Sequence, residues 1–296
     1  MFPKTSRAKS VLADVGLFYA AAIWGATFFM VKGALDDVDP VVLVGYRFIL
    51  AGVILLAYLL IKKQPIFQGL GRAMVLSLFL FFLYIPQTLG LKFTTASNSG
   101  FITGLFVAFI PLFMLTIFKK KPGLMGVIAS GVSLVGLWVL TGGMADVNIG
   151  DILTLGAALT YALHVLYSDK YMKEGMNPFI LACQQFLIVG LLSLLTALVF
   201  NLPLGVESLS AGYVIIFLAL FPSLSAFVIQ LVAQKIRPPL RVSLIFALEP
   251  VFAAVFAWTL GDEIFVTYRA VGGLLIFAAL VISSLPSPTF RRRIIK

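Results

Sequence analysis

The stretch SLIFALEPVFAAVFAWTLGDE, residues 243–263, holds a single carboxylate before its polar end: Glu249, followed at once by Pro250. A carboxylate inside a run of hydrocarbon-spanning length is costly and marks a site by default. Pro250 has no backbone N–H to donate and disturbs the turn before it. In lipid, the carbonyl left over must find a partner within the protein. An acid and a broken turn are therefore expected together near mid-membrane, with Glu249 about ten residues, or roughly 15 Å, into its helix. A second stretch, SGFITGLFVAFIPLFMLTIF at 99–118, repeats the pattern, with Pro111 in the place of Pro250 and 139 positions before it. The two stretches read as matching helices of a duplicated unit.

Working outward, composition supports a membrane chain. Of 296 residues, 61% are hydrophobic and 11% charged, with a mean hydropathy of +1.07. A soluble domain carries about a quarter charged residues. Ten segments are long and apolar enough to span: roughly 15–35, 40–61, 72–91, 96–118, 122–141, 150–170, 178–200, 211–234, 239–260 and 264–285. The expected fold class is an all-α polytopic membrane protein. The basic first residues MFPKTSRAKS precede an apolar run of spanning length without a small-residue cleavage site, so no removed signal peptide is read. The single cysteine, Cys183, excludes an internal disulfide and a cysteine-based metal site.

The net charge of +10 is explained by topology rather than by nucleic acid. With ten spans, 18 of the 22 Lys and Arg residues fall on the side of the termini, and Lys92 alone lies in the opposite loops. Acids show the reverse bias, with Asp36, Asp37, Asp39, Asp146, Asp151, Glu207, Asp262 and Glu263 opposite. Both termini are thus expected to be cytoplasmic.

The repeat extends beyond the prolines. YRFILAG at Tyr46 aligns with QQFLIVG at Gln184, and Lys32 with Lys170, both 138 positions apart. Such an offset crosses five spans, an odd number, so the second copy enters the membrane inverted. The expectation is two five-helix repeats, 1–143 and 144–296, of opposite orientation. That architecture belongs to transporters, whose sites lie near the midplane where the halves meet.

IWGATF at Ile23, YRF at Tyr46, LKFTTASNSGFI at Leu91, LEPVFAAVFAWTLGDE at Leu248 and VGGLLIFAALVISS at Val271 carry a resemblance. The chain resembles an EamA-type member of the drug/metabolite transporter superfamily across nearly its whole length. The resemblance implies alternating-access export or exchange of small metabolites, often amino acids, across the inner or plasma membrane. It also implies a central cavity lined mainly by the first, third, fourth, sixth, eighth and ninth spans. The expected partners are a small-molecule substrate, protons as a candidate coupling ion, and membrane lipid. No nucleic acid and no cofactor are expected, and the assembly is a monomer or a homodimer.

The candidate substrate-binding residues are Trp24, Tyr84, Gln87, Asn98, His164, Gln230 and Glu249. Glu249 reads either as a proton-titrating or ammonium-binding carboxylate, or as a structural acid that fixes the helix break. His164, the only histidine, permits proton relay or simply bonds a neighbouring helix. Trp24 lies mid-span rather than in an interfacial belt. Tyr84 and Gln87 share a helix face beside Pro86. Arg47 either binds a substrate carboxylate through its planar fork or snorkels to Asp37 or Asp39, and the structural role is the expected one. Interhelical amide bonds are ordinary glue in bundles, which leaves a packing role open for Gln87, Asn98 and Gln230. Glycines at small-residue spacing on the fifth and tenth spans permit close packing within the chain or in a dimer. The rival readings are a nucleotide-sugar or sugar-phosphate exchanger of similar fold, disfavoured by the lack of a buried cation cluster, and an intramembrane enzyme built on Glu249 and His164.

Overall fold

The structure is a computed structural model that describes residues 7–141, 147–260, 265, 267–283 and 285. Thirteen α-helices and one π-helical stretch, with no strand, occur among the described residues. Five of the spans are single helices of spanning length: α1 (Arg7–Ala34), α2 (Pro40–Ile61), α3 (Leu70–Gly90), α7 (Ile149–Lys173) and α8 (Pro178–Val199). The fourth span is broken into α4 (Ala96–Gly104) and α5 (Phe106–Thr116). The fifth is α6 (Leu124–Thr141). The eighth runs through α9 (Leu209–Leu218), the π-helical stretch Ala219–Ser225 and α10 (Ala226–Gln234). The ninth is broken into α11 (Pro239–Phe246) and α12 (Glu249–Leu260), and α13 (Thr267–Ser283) is the tenth. Eight segments meet the length and apolarity needed to cross a membrane, and two shorter apolar helices, Leu124–Leu140 and Ala270–Ser283, complete the ten expected.

Short polar residues start the helices. Asp39 accepts from the Val41 N–H ahead of Pro40, and Asn177 accepts from Phe179 ahead of Pro178. Thr95 and Ser208 cap α4 and α9, and Asn148 with Asp151 forms a capping box on α7. Each cap satisfies amide groups that the first helical turn leaves unbonded.

The packing follows a symmetric plan. The second span packs on the seventh, the third on the sixth, the first on the eighth, the fourth on the ninth and the fifth on the tenth. Exchanging each span for the one five places along maps this set of pairs onto itself. Within the fourth–ninth pair, α4 meets α12 and α5 meets α11. The fifth and tenth spans approach closely at Gly136, where a Cβ would lie 2.8 Å from the Gly272 carbonyl oxygen. These glycines are used inside the chain. Large apolar side chains such as Leu12, Leu60, Phe82, Leu191 and Phe277 cover the outside, as a lipid-facing surface requires.

One register expectation is corrected. The fourth span breaks at Leu105 and the ninth at Ala247–Leu248, so the matching positions are the leucines, 143 apart, rather than the prolines. At both breaks the backbone tightens to three-residue hydrogen bonds, Leu105 N–H to Ile102 O and Leu248 N–H to Ile245 O, each 3.1 Å. Pro250 is the second residue of α12, where a missing N–H costs nothing. Pro111 lies inside α5, which continues through it. By this register Phe106, not Pro111, stands where the second half has Glu249. The two breaks also meet: a Cβ on Gly104 would lie 3.4 Å from Pro250 Cγ.

Candidate functional site

A narrow cavity, of about 30 Å³, lies between the first, second, third, fourth, sixth, eighth and ninth spans. Trp24, Thr27, Phe28 and Val31 of α1 line it, with Leu83, Tyr84, Gln87 and Thr88 of α3. Leu91, just past α3, Thr103, Tyr161, Phe227, Arg47 and Glu249 complete its wall. Val31 and Leu91 lie near the ends of α1 and α3, so the cavity rises from Glu249 toward the end of the bundle that carries the α1–α2 turn.

At the opposite end the bundle is tied shut. Arg237 donates from Nε to Asp14 Oδ1 at 2.8 Å, from Nη2 to Asp14 Oδ2, and from Nη2 to the Ser10 carbonyl at 2.8 Å. Arg241 reaches the same carboxylate at 3.4 Å and the Leu280 carbonyl at 3.1 Å. One acid thus fastens the start of α1 to the α10–α11 turn and to α11, which in turn holds α13.

Glu249 is the first residue of α12 and is 6% exposed. Its carboxylate makes no hydrogen bond or ion pair among the described residues. The unbonded amides and partial positive charge of a helix start favour an anion there. Glu249 can stand at this level because α1 comes against it at Gly25, the glycine of IWGATF. A Cβ there would lie 2.6 Å from the Glu249 carbonyl oxygen and 2.8 Å from Phe252 Cβ.

Trp24 is held on two sides. Its Nε1–H donates to the Pro222 carbonyl at 2.8 Å, and its ring packs 4.8 Å from Phe246 and 5.1 Å from Phe227. Tyr161 meets Trp24 edge-on at 6.4 Å and Phe106 at 4.4 Å. Tyr84 packs edge-on against Phe48 at 4.9 Å. Gln87 donates to Thr103 Oγ1 at 2.8 Å, joining α3 to α4 within the wall. The π-helical stretch also supports the cavity through Ser223, whose Oγ accepts from Arg47 Nε at 3.0 Å. Tyr19 and Ser225 are joined at 2.8 Å, tying α1 to the end of the π-helical stretch.

Four of the seven predicted residues, Trp24, Tyr84, Gln87 and Glu249, line this cavity, and three do not. Asn98 is half-buried in the first turn of α4, and its N–H bonds the Thr95 cap. His164 is wholly buried, 2.8 Å from Gln185 Oε1 through Nε2, with Phe227 edge-on at 6.0 Å. Gln230 is wholly buried in α10 with neither amide atom bonded. His164 and Glu249 therefore do not converge on one space, as an intramembrane enzyme would need.

Arg47 is the cavity residue that sequence reasoning assigned elsewhere. It does not snorkel to Asp37 or Asp39. Asp37 accepts from Ser208 Oγ at 2.6 Å and Asp39 caps its own helix. Lys32, by contrast, is absorbed by the Leu91 and Thr94 carbonyls beyond α3. Among the described residues no cluster of three or more potential metal ligands occurs.

Comparison with known proteins agrees with this architecture. The model of the EamA-like transporter family matches residues 11–142 and again 148–285. A transporter of Archaeoglobus fulgidus is 32% identical over 282 residues, covering 94% of this chain and 87% of its own. The inner membrane transporter YedA of Escherichia coli K12 is 26% identical, covering 90% and 89%. The S-adenosylmethionine/S-adenosylhomocysteine transporter of Chlamydia muridarum is 26% identical, covering 84% of each chain. A solved crystal structure shares the fold with a TM-score of 0.79 at 19% identity, covering 98% of this chain and all of that one. These relatives are named for transport rather than catalysis. The chain is an integral membrane transporter, not an enzyme, and belongs to the EamA-like transporter family.

Proposed function

We propose that the protein is a secondary transporter that moves small metabolites, amino acids and their derivatives foremost, out of the cell by alternating access. One observation carries this reading: an unpaired carboxylate, Glu249, stands at the restart of a broken helix and lines a cavity that extends toward one end of the bundle, while the other end is tied. Broken helices at the midplane are where carriers of this architecture hold substrate. The division into repeats 1–143 and 144–296 is supported by the symmetric packing plan, and inverted repeats supply the second arrangement by exchanging roles.

Lys and Arg placement supports cytoplasmic termini in the inner or plasma membrane. The cavity then faces outward in this state, and the Asp14–Arg237 clasp closes the cytoplasmic side. The chlamydial relative makes sulfonium amino acids a second class to test beside ordinary ones. Counterflow of labelled amino acids and S-adenosylmethionine in liposomes of purified protein tests the reading. Saturable exchange supports it, and passive conductance without counterflow overturns it in favour of a channel.

A further inference from the structure

We propose that Arg47 is the anion anchor of the cavity and that, together with Glu249, it selects dipolar ions: solutes bearing a carboxylate and a cationic centre such as an ammonium or sulfonium. The inference rests on the transport reading and adds a residue and a selection rule to it.

Arg47 is 2% exposed and lies seven residues into α2. Its guanidinium donates from Nε to Ser223 Oγ, while Nη2 is buried without a hydrogen-bond partner. Cζ lies 4.6 Å from the centroid of the Tyr84 ring and 5.1 Å from that of Phe48. Packing against two rings and one hydroxyl orients the group without neutralising it. No carboxylate lies within ion-pair distance among the described residues.

Glu249 is in the complementary position. It lines the same cavity, is equally lacking in a charged partner, and does not pair with Arg47. A buried charge without compensation is strongly unfavourable, and a fold that needed these two charges only for packing would bring them together. Held apart across one space, they are compensated at once by a ligand that carries both signs. The guanidinium fork fits a carboxylate. Glu249 receives the cationic end, and the faces of Trp24, Tyr84 and Phe227 are suited to the organic body or to the cation itself.

The rule makes a sharp distinction among solutes of nearly equal size. An amino acid, its carboxamide and its deaminated acid differ by one charge each. A site built to bond a polar group rejects the analogue lacking it by large factors, because its own groups are then left unpaired.

The experiment is thermal stabilisation of the purified full-length protein by the twenty L-amino acids, S-adenosylmethionine, and the matching carboxamides and deaminated acids. For the dipolar ion that stabilises best, the amide and the deaminated acid are expected to need more than tenfold higher concentration. In Arg47→Gln the preference for the amino acid over its amide should fall to near unity while the deaminated acid remains weak. Glu249→Gln should do the reverse. Arg47→Lys, which keeps the charge without the fork, retains part of the preference and serves if the Gln variant does not fold. A purely structural Arg47 would lower stability without changing the ratio of amino acid to amide. Equal stabilisation by amide and parent in the unaltered protein, an unchanged ratio in Arg47→Gln, or no response to any dipolar ion would each overturn the inference. Uptake of a neutral or singly charged solute by the same preparation would then leave the transport reading standing.

Discussion

Gly25 lies so close to Glu249 that the first added carbon would meet the glutamate's own carbonyl oxygen, at 2.6 Å. The glycine of α1 and the acid at the start of α12 are thus a single structural feature: the first fixes where the second stands. Gly25→Ala should push α12 away from α1, since the obstructing atoms are largely backbone and cannot rotate aside. The expected cost is about 1–3 kcal/mol, typical of overpacking. It is measured as a lower Tm in detergent, with transport falling further than stability accounts for. A variant with unaltered Tm would show that α1 and α12 are not seated together.

Trp24→Phe tests the indole hydrogen bond to Pro222. The ring contacts with Phe227 and Phe246 are retained in large part, while the Pro222 carbonyl loses its donor. A loss of about 0.5–1.5 kcal/mol is expected for the bond itself. Because Pro222 belongs to the same π-helical stretch as Ser223, which holds Arg47, solute selectivity should shift as well. Unchanged stability and selectivity would remove the π-helical stretch from the account of the site.

Orientation is open to direct labelling. Cys183 is buried, so the native chain offers little background to a membrane-impermeant thiol reagent. A cysteine at Asp36, in the α1–α2 turn, should react from outside the cell, and one at Gln64, between α2 and α3, only after the membrane is opened. The reverse pattern would overturn both the charge-based orientation and the outward-facing assignment of the cavity.

The clasp at the other end predicts a population shift. Asp14 takes three donors from two arginines, and charge-assisted bonds contribute about 1.5–3 kcal/mol each where they are shielded from water. Asp14→Asn removes the charge at nearly constant size. With partial exposure reducing the effect, the state open at the terminal end should still become about tenfold more populated, for a difference of about 1.4 kcal/mol. Faster thiol labelling of a cysteine placed at Gln234 would register it. Equal labelling rates in the two proteins would show that the clasp is not part of the closure.

Several of these relationships were legible in the sequence and others were not, for identifiable reasons. An acid at mid-span is conspicuous, and Glu249 reached the cavity because lipid penalises a carboxylate anywhere else; Trp24 reached it with its indole N–H bonded to the Pro222 carbonyl. His164 and Gln230 lie at comparable depth, but depth does not say which neighbour a helix face meets. The first bonds Gln185, and the second is buried in α10 with neither amide atom bonded. Arg47 was drawn toward Asp37 and Asp39 by proximity along the chain, yet those acids were engaged by Ser208 and by a helix cap. The prolines suggested the broken helices correctly and their register wrongly. A proline near a helix start leaves no bond to lose, so it marks a break less directly than the tightened backbone at Leu105 and Leu248.

The decisive variant for the mechanism is Glu249→Gln. The side chain keeps its length and its ability to hydrogen bond, and it loses its charge and its exchangeable proton. If the carboxylate acts by binding a cation or by releasing and taking up a proton during the cycle, counterflow should fall by an order of magnitude or more. Any dependence of the rate on pH should flatten, since no other carboxylate lines the cavity among the described residues. Expression and Tm should stay near those of the unaltered protein, because no partner within the described chain is lost. Glu249→Leu separates charge from polarity: it removes the polar group from the start of α12 while leaving Pro250 to break the helix. If Glu249 were only a structural acid, Gln would transport normally with the same pH profile. Leu would then be tolerated as well, since the carboxylate bonds no group at the helix restart among the described residues. Normal counterflow and an unchanged pH profile in Glu249→Gln would therefore remove this carboxylate from the transport cycle.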